Sequence, residues 1–181
     1  MIDKNINQYW MKHILGEKEN KSSLKFMSTT LCQFGKPHSI WSFVRDNPTD
    51  VQKAAIKTRI LTGCYTLQAN RSKFNQYKVD PTCPICTSAP EDRKHFILQC
   101  SSTERIRGKY LPKIRNFINE SDKNLDLENI DTLLQLIIDP SAFYHEKRHL
   151  PILDQLEKTT RDMIYDIHLI HTKLMRAYNP Q

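Results

Sequence analysis

Cys83-Pro84-Ile85-Cys86-Thr87-Ser88-Ala89-Pro90-Glu91-Asp92-Arg93-Lys94-His95-Phe96-Ile97-Leu98-Gln99-Cys100 sets four ligand-type side chains in the spacing C-x2-C-x8-H-x4-C. A structural Zn2+ takes four thiolate or imidazole ligands at roughly 2.0–2.3 Å, and a Cys-x-x-Cys turn supplies an adjacent pair of them. The stretch from Thr87 to Lys94 carries turn formers and then a helix start, so the chain can double back and present His95. Cys100 closes the set about one turn later, and Phe96, Ile97 and Leu98 between the last two ligands anchor the short helix on a core. The expectation is one structural Zn2+ per chain, held by Cys83, Cys86, His95 and Cys100.

Other chemistries fit these residues less well. Buried thiols and a core histidine are common singly, but not four together within eighteen positions. A redox dithiol of the form Cys-Pro-Ile-Cys belongs where a strand feeds a helix in a βαβ unit, and no such alternation is seen. A zinc deaminase requires H-x-E upstream of P-C-x-x-C; no H-x-E precedes Cys83, and Thr82 stands where the proline belongs. A disulfide framework is disfavoured by an odd count of five cysteines and by an N-terminus, Met1 to Asn5, without a secretory apolar run. A two-zinc ubiquitin-ligase module would need a second regular ligand set, which Cys32, His38 and Cys64 do not form; Cys32 and Cys64 read as buried thiols.

Length and composition bound the rest. A chain of 181 residues with 39% hydrophobic content suits one domain or two small ones with a modest core. Its mean hydropathy is −0.60, and no stretch approaches the roughly 20 apolar residues of a membrane span. These features point away from the membrane and toward a reducing intracellular compartment, nucleus or cytoplasm. Charge is segregated: residues 53–115 carry thirteen Lys and Arg against four Asp and Glu, whereas residues 116–181 carry seven against eleven. A positive field around the ligand cluster is the footprint expected of a protein that meets RNA or DNA.

Only four glycines and little strict alternation predict a mainly α chain. Residues 1–47 read as an N-terminal helical and loop segment, with an amphipathic helix over Ile6 to Leu15, a loop over Gly16 to Ser23 and a short extended segment over Leu24 to Phe34. Residues 48–119 read as a basic zinc-knuckle domain. Its first helix starts at Pro48-Thr49-Asp50, buries Val51, Ala54, Ala55, Thr58 and Leu61, and ends at Gly63. Residues 120–181 read as an acidic helical region, with one helix ending near Asp139-Pro140 and a long one over Pro151 to Leu174. After Cys100 a capping box at Ser101 to Glu104 opens a helix that Gly108 and Pro112 are expected to kink or divide. The fold expected is a small helical domain with one Cys3His zinc-stapled knuckle and a C-terminal helical region.

Around the knuckle lies a run of cations interleaved with aromatics. Arg71, Lys73, Lys78, Arg93, Lys94, Arg105 and Lys109 are the candidate phosphate contacts, and Tyr77 is the candidate base-stacking ring. Phe74 is expected in the core.

Arg59-Ile60-Leu61-Thr62-Gly63, then Tyr65, Leu67, Arg71, Lys73 and Phe74, then the four ligands, resemble the zinc-binding tail of non-LTR retrotransposon reverse transcriptases. The run Leu133 to Ser141 and the helix after it extend the likeness over roughly residues 45–175. The resemblance implies a tail that follows a polymerase and engages template RNA or target DNA. The four ligands carry over residue by residue; the basic contacts do not, because the family pattern does not fix them. An Ala-Asp-Asp polymerase motif, spaced carboxylates of a ribonuclease H and an endonuclease signature are all missing, so a non-catalytic, zinc-dependent nucleic-acid-binding module is expected. The competing expectation is a zinc-stapled helical module whose acidic C-terminal helices bind a protein partner.

Overall fold

Asn47 opens the first core helix: its side chain accepts from Asp50 N at 2.9 Å, Pro48 occupies the first helical position, and Asp50 lies in the first turn at the positive end of the helix. The computed structural model describes residues 2–33, 35–121 and 124–178. Along them run α1 (Ile2–Asn20), α2 (Ser39–Ser42), α3 (Pro48–Leu61), α4 (Gln68–Phe74), α5 (Glu104–Asn119), α6 (Ile130–Ile138) and α7 (Leu150–Tyr178), with short tight turns between. There is no strand among the described residues, so the protein is mainly helical as expected.

The last helix is the spine. Leu153, Leu156, Met163, Ile164 and Ile167 are buried at three- and four-residue spacing, which gives α7 one continuous inward stripe. It packs against α2, α3, α5 and α6. Ile170 is 37% exposed because the core stops a turn before it. Tyr110, Ile114 and Ile118 of α5 and Leu133, Leu134, Ile137 and Ile138 of α6 complete the core. One apolar cluster runs from Ile40 to Ile167, so the divisions drawn at 47/48 and 119/120 do not separate cores.

Four local expectations are corrected. The loop expected over Gly16 to Ser23 is helical to Asn20, whose side chain donates back to Gly16 O at 2.8 Å. No strand forms in the segment from Leu24 toward Phe34, which itself lies outside the described residues; Phe26, Met27 and Leu31 pack onto the core from irregular backbone. That backbone is held by Asp139, which accepts from Ser28 N at 2.6 Å, and by Gln135, which donates to Phe26 O at 2.8 Å. Pro112 does not divide α5, because it lies on the exposed side, where the carbonyl one turn earlier can be hydrated. In α3 the buried side is Ala54, Lys57, Ile60 and Leu61, while Val51 is 45% exposed.

Lys57 lies in the core because a polar latch surrounds it. Its ammonium donates to Glu157 Oε2 at 2.6 Å and to Thr160 Oγ1 at 2.7 Å, and Ser39 Oγ donates to Glu157 Oε1 at 2.6 Å. Arg161 beside it donates to the carbonyls of Ile40 and Phe43 at 3.0 and 2.9 Å. The segment before α3 is thus tied to α7 by charged hydrogen bonds as well as by apolar contact. No helix among the described residues is long and apolar enough to cross a membrane.

Candidate metal centre

A hairpin-like turn sets the first two ligands. Cys83 N donates to Ala89 O and Glu91 N to Pro81 O, both at 2.9 Å, and an isolated antiparallel bridge joins Thr82 to Pro90. Within the turn, Thr87 N donates to Cys83 O at 2.9 Å, and Thr87 adopts φ 55°, a left-handed conformation uncommon for a β-branched residue. Asp92 then accepts from His95 N at 2.8 Å and starts a wide helical turn over His95–Gln99, which Cys100 N closes onto His95 O at 2.8 Å. Phe96 and Ile97 on this turn are 2% and 0% exposed, and their burial contributes roughly 1.5–3 kcal/mol each.

These turns bring Cys83, Cys86, His95 and Cys100 together, with one ligand atom of each lying within 4.8 Å of the others. Zn–S and Zn–N bonds of roughly 2.0–2.3 Å make a tetrahedron with edges of about 3.3–3.8 Å, so small movements of these side chains would seat a metal ion. His95 turns Nε2 into the cluster, 3.2 Å from Cys86 Sγ. Its buried Nδ1 has no protein partner and is the nitrogen left to carry the proton when Nε2 ligates.

The three thiols are electrostatically unequal. Burial pushes Cys83 up to about 12 and also raises Cys100. At Cys86 the desolvation cost is outweighed by hydrogen bonds from the Ser88 side chain and backbone and from the neighbouring thiols, which bring it down to about 6. Burial and hydrogen bonding thus act in opposite directions within one cluster, and a bound cation would draw the protons from all three thiols.

Glu91 connects the cluster to the rest of the fold, and sequence reasoning passed it over as a turn residue. It is 2% exposed, with Oε1 3.8 Å from Cys83 Sγ and 2.7 Å from His171 Nε2 on α7. Its Oε2 accepts from Gln68 N at 2.9 Å, which caps the start of α4, where Leu67 offers no capping side chain. The same carboxylate thus touches a metal-ligand candidate, α4 and α7.

The basic candidates divide into two groups. Arg93 is spent inside: its guanidinium donates to the carbonyls of Ser22, Ser23, Ile60 and Leu61 at 3.0–3.4 Å and lies over the Phe26 ring. Lys94 pairs with Asp131 at 2.7 Å, and Lys109 with Asp166 at 3.1 Å and with the Tyr110 hydroxyl at 2.9 Å. In the structure these three candidate phosphate contacts are engaged within the fold. Arg71, Lys73, Lys78 and Arg105 are exposed and have no ion pair among the described residues. Tyr77 is 76% exposed, and Phe74 is 89% exposed rather than in the core, because Ser72 is the buried residue of α4 and the helix ends at Phe74.

The thiol expectation for Cys64 is also corrected: it is exposed, and Cys32 is half-buried. His38, with Asp139 and Glu157, forms a second group whose polar atoms lie within 4.8 Å of one another. Every carboxylate oxygen there already accepts from Ser28, Ser39, Lys57 or Ser141, so the Lys57 ammonium takes the place a cation would fill. Comparison with known proteins finds no matching family model, no similar curated protein and no similar solved structure.

Proposed function

We propose that this chain is a non-catalytic module that binds single-stranded RNA or DNA, with Zn2+ in the Cys3His cluster fixing the binding element. Three sulfurs and one imidazole form the donor set that selects zinc over the harder divalent ions. The observation that carries the proposal is at the end of α4 and just beyond it: two large rings, Phe74 and Tyr77, stand in solvent among the exposed cations Arg71, Lys73 and Lys78. Gln76 and Tyr77 have φ of 51° and 61°, so the chain turns sharply just after the helix and holds the second ring beyond the first. Exposed aromatics flanked by cations are what an unpaired strand requires, with bases stacking on the rings and phosphates meeting Lys and Arg.

The metal acts through position. Glu91 joins the Cys83 turn to the start of α4, so a rigid knuckle makes a rigid platform. This function agrees with the resemblance to retrotransposon reverse-transcriptase tails and with an intracellular, reducing setting in which thiols remain ligands. Anisotropy with a fluorescent oligonucleotide tests it. Each base stacked contributes about 1–3 kcal/mol, so Phe74→Ala and Tyr77→Ala should each weaken binding about tenfold or more. If about five phosphates are neutralised, log affinity should fall against log salt with a slope near −3.5. Binding that ignores both the rings and the salt would overturn the proposal.

One observation favours the rival function of a protein-interaction module. Ile6, Tyr9, Trp10 and Leu15 of α1 are 41–65% exposed and contribute nothing to the core. A partner held there would survive the Phe74 and Tyr77 substitutions, which separates the two.

A further inference from the structure

We infer that the cleft between the last turn of α3 and the C-terminal turns of α7 is a phosphate-binding site. It is an open cavity of about 640 Å3, separate from the rings on α4, and its lining holds no carboxylate. Arg59 projects from α3 and Arg176 from α7, both exposed and neither ion-paired among the described residues. Neither is matched with a carboxylate, and the two line one cavity from two different helices. Two unpaired guanidinium forks on the wall of one cavity suit a tetrahedral oxyanion better than a cationic or neutral ligand.

The floor between them is prearranged. His168 and His171 sit close together on α7, and both are fixed by hydrogen bonds: His168 Nδ1 to the Tyr65 hydroxyl at 2.7 Å and to the Thr172 hydroxyl at 3.4 Å, and His171 Nε2 to Glu91 at 2.7 Å. The second nitrogen of each ring has no hydrogen-bond partner among the described residues and is left for an oxyanion, while the Thr172 hydroxyl braces His168 from the same wall. Tyr65 and Phe96 pack against His171 with ring centroids 6.4 and 5.2 Å away, so the imidazoles are held without using their free edges. In the last turn of α3, Arg59 O and Ile60 O accept from Tyr65 N and Gly63 N at 3.0 and 3.2 Å, so both carbonyls are satisfied within the fold. Glu91, behind His171, ties this floor to the Cys83 turn.

The site stands independently of strand binding by α4, and inorganic phosphate is its probe. With the full-length, metal-loaded chain at fixed pH and ionic strength, phosphate titrated against chloride should shift the ring resonances of His168 and His171 along a saturating curve, while those of His13 and His145 stay still. Arg59→Gln with Arg176→Gln should weaken that curve about tenfold or more, since each charged hydrogen bond lost contributes at least that scale of affinity. Both arginines are exposed, so the variant is expected to keep its helical spectrum; Arg176→Gln alone serves as the milder check. Unsaturable shifts, or a curve identical in wild type and double variant, would overturn the site. Adding 5′-phosphorylated or 5′-hydroxyl oligothymidylate then identifies the source of the phosphate: displacement places the group on a strand, and binding without displacement assigns the cleft to a small phosphorylated molecule. A Phe74→Ala chain that loses the strand and keeps the phosphate curve separates failure of one site from failure of the other.

Discussion

Glu91 shows how a single buried carboxylate can decide the geometry of a site and still be silent in sequence. Its neighbours Pro90 and Asp92 mark a turn, and nothing in the local pattern says that it caps a helix 23 residues upstream or meets an imidazole 80 residues downstream. The four ligands were legible because metal chemistry imposes spacing on near neighbours. Phe74 was misread for the opposite reason: a lone aromatic in a basic run follows the general rule that large apolar side chains go inside, and only the end of α4 puts it at 89% exposure. A pH dependence belongs at this scale. Burial first, then the nearby charges of His171 and Arg59, hold His168 below its ordinary 6.5, so the folded protein favours the neutral ring. That contribution to stability is fully present above pH 6.5 and is lost as the pH falls below it toward the folded-state value, because the unfolded chain binds the proton more readily. Thermal midpoints measured from about pH 8 down to about pH 5 should fall more steeply for wild type than for His168→Gln, and equal slopes would contradict the assignment.

Helices were legible wherever caps and periodicity agreed. Asn47-Pro48 and Gly63 bound α3 from both ends, and Gly63 is required there twice over: its φ is 73°, and a Cβ would come within 2.9 Å of Ser23 Cβ. The face of α3 was not legible, because a lysine reads as solvent-facing unless its partner is known, and the partner of Lys57 lies 100 residues away. Burial lowers the Lys57 ammonium even with Glu157 beside it, so the pair stands on its hydrogen bonds. Removing one member of a fully buried pair leaves the other uncompensated, at a cost of about 3–5 kcal/mol. Lys57→Met should therefore lose that much in denaturant unfolding, whereas Lys57→Met with Glu157→Gln should regain more than half, since the amide still accepts from Ser39. A double variant no more stable than the single would show that the latch acts by shape rather than charge.

Over the whole molecule, the charge asymmetry of the sequence has an internal use that was not legible. Of the thirteen cations in residues 53–115, five pair with carboxylates of the acidic half: Lys53 with Asp162, Lys57 with Glu157, Lys94 with Asp131, Lys109 with Asp166 and Arg115 with Glu128. Segregation along the chain becomes complementarity in the fold, which composition alone cannot distinguish from a polyanion surface. Metal loading is the whole-molecule test. Structural Zn2+ sites contribute roughly 10–16 kcal/mol in zinc-finger peptides, comparable to the stability of an entire small domain. Native mass spectrometry should find one zinc per chain, and chelation or Cys100→Ser should collapse the thermal transition; an unchanged melting curve would remove the metal from the structure. The five pairings also bear on the order of synthesis. Translation delivers all thirteen cations before the carboxylates that partner five of them, so those five stay unpaired in the unfinished chain. The acidic segment, made after them, neutralises these cations as it docks.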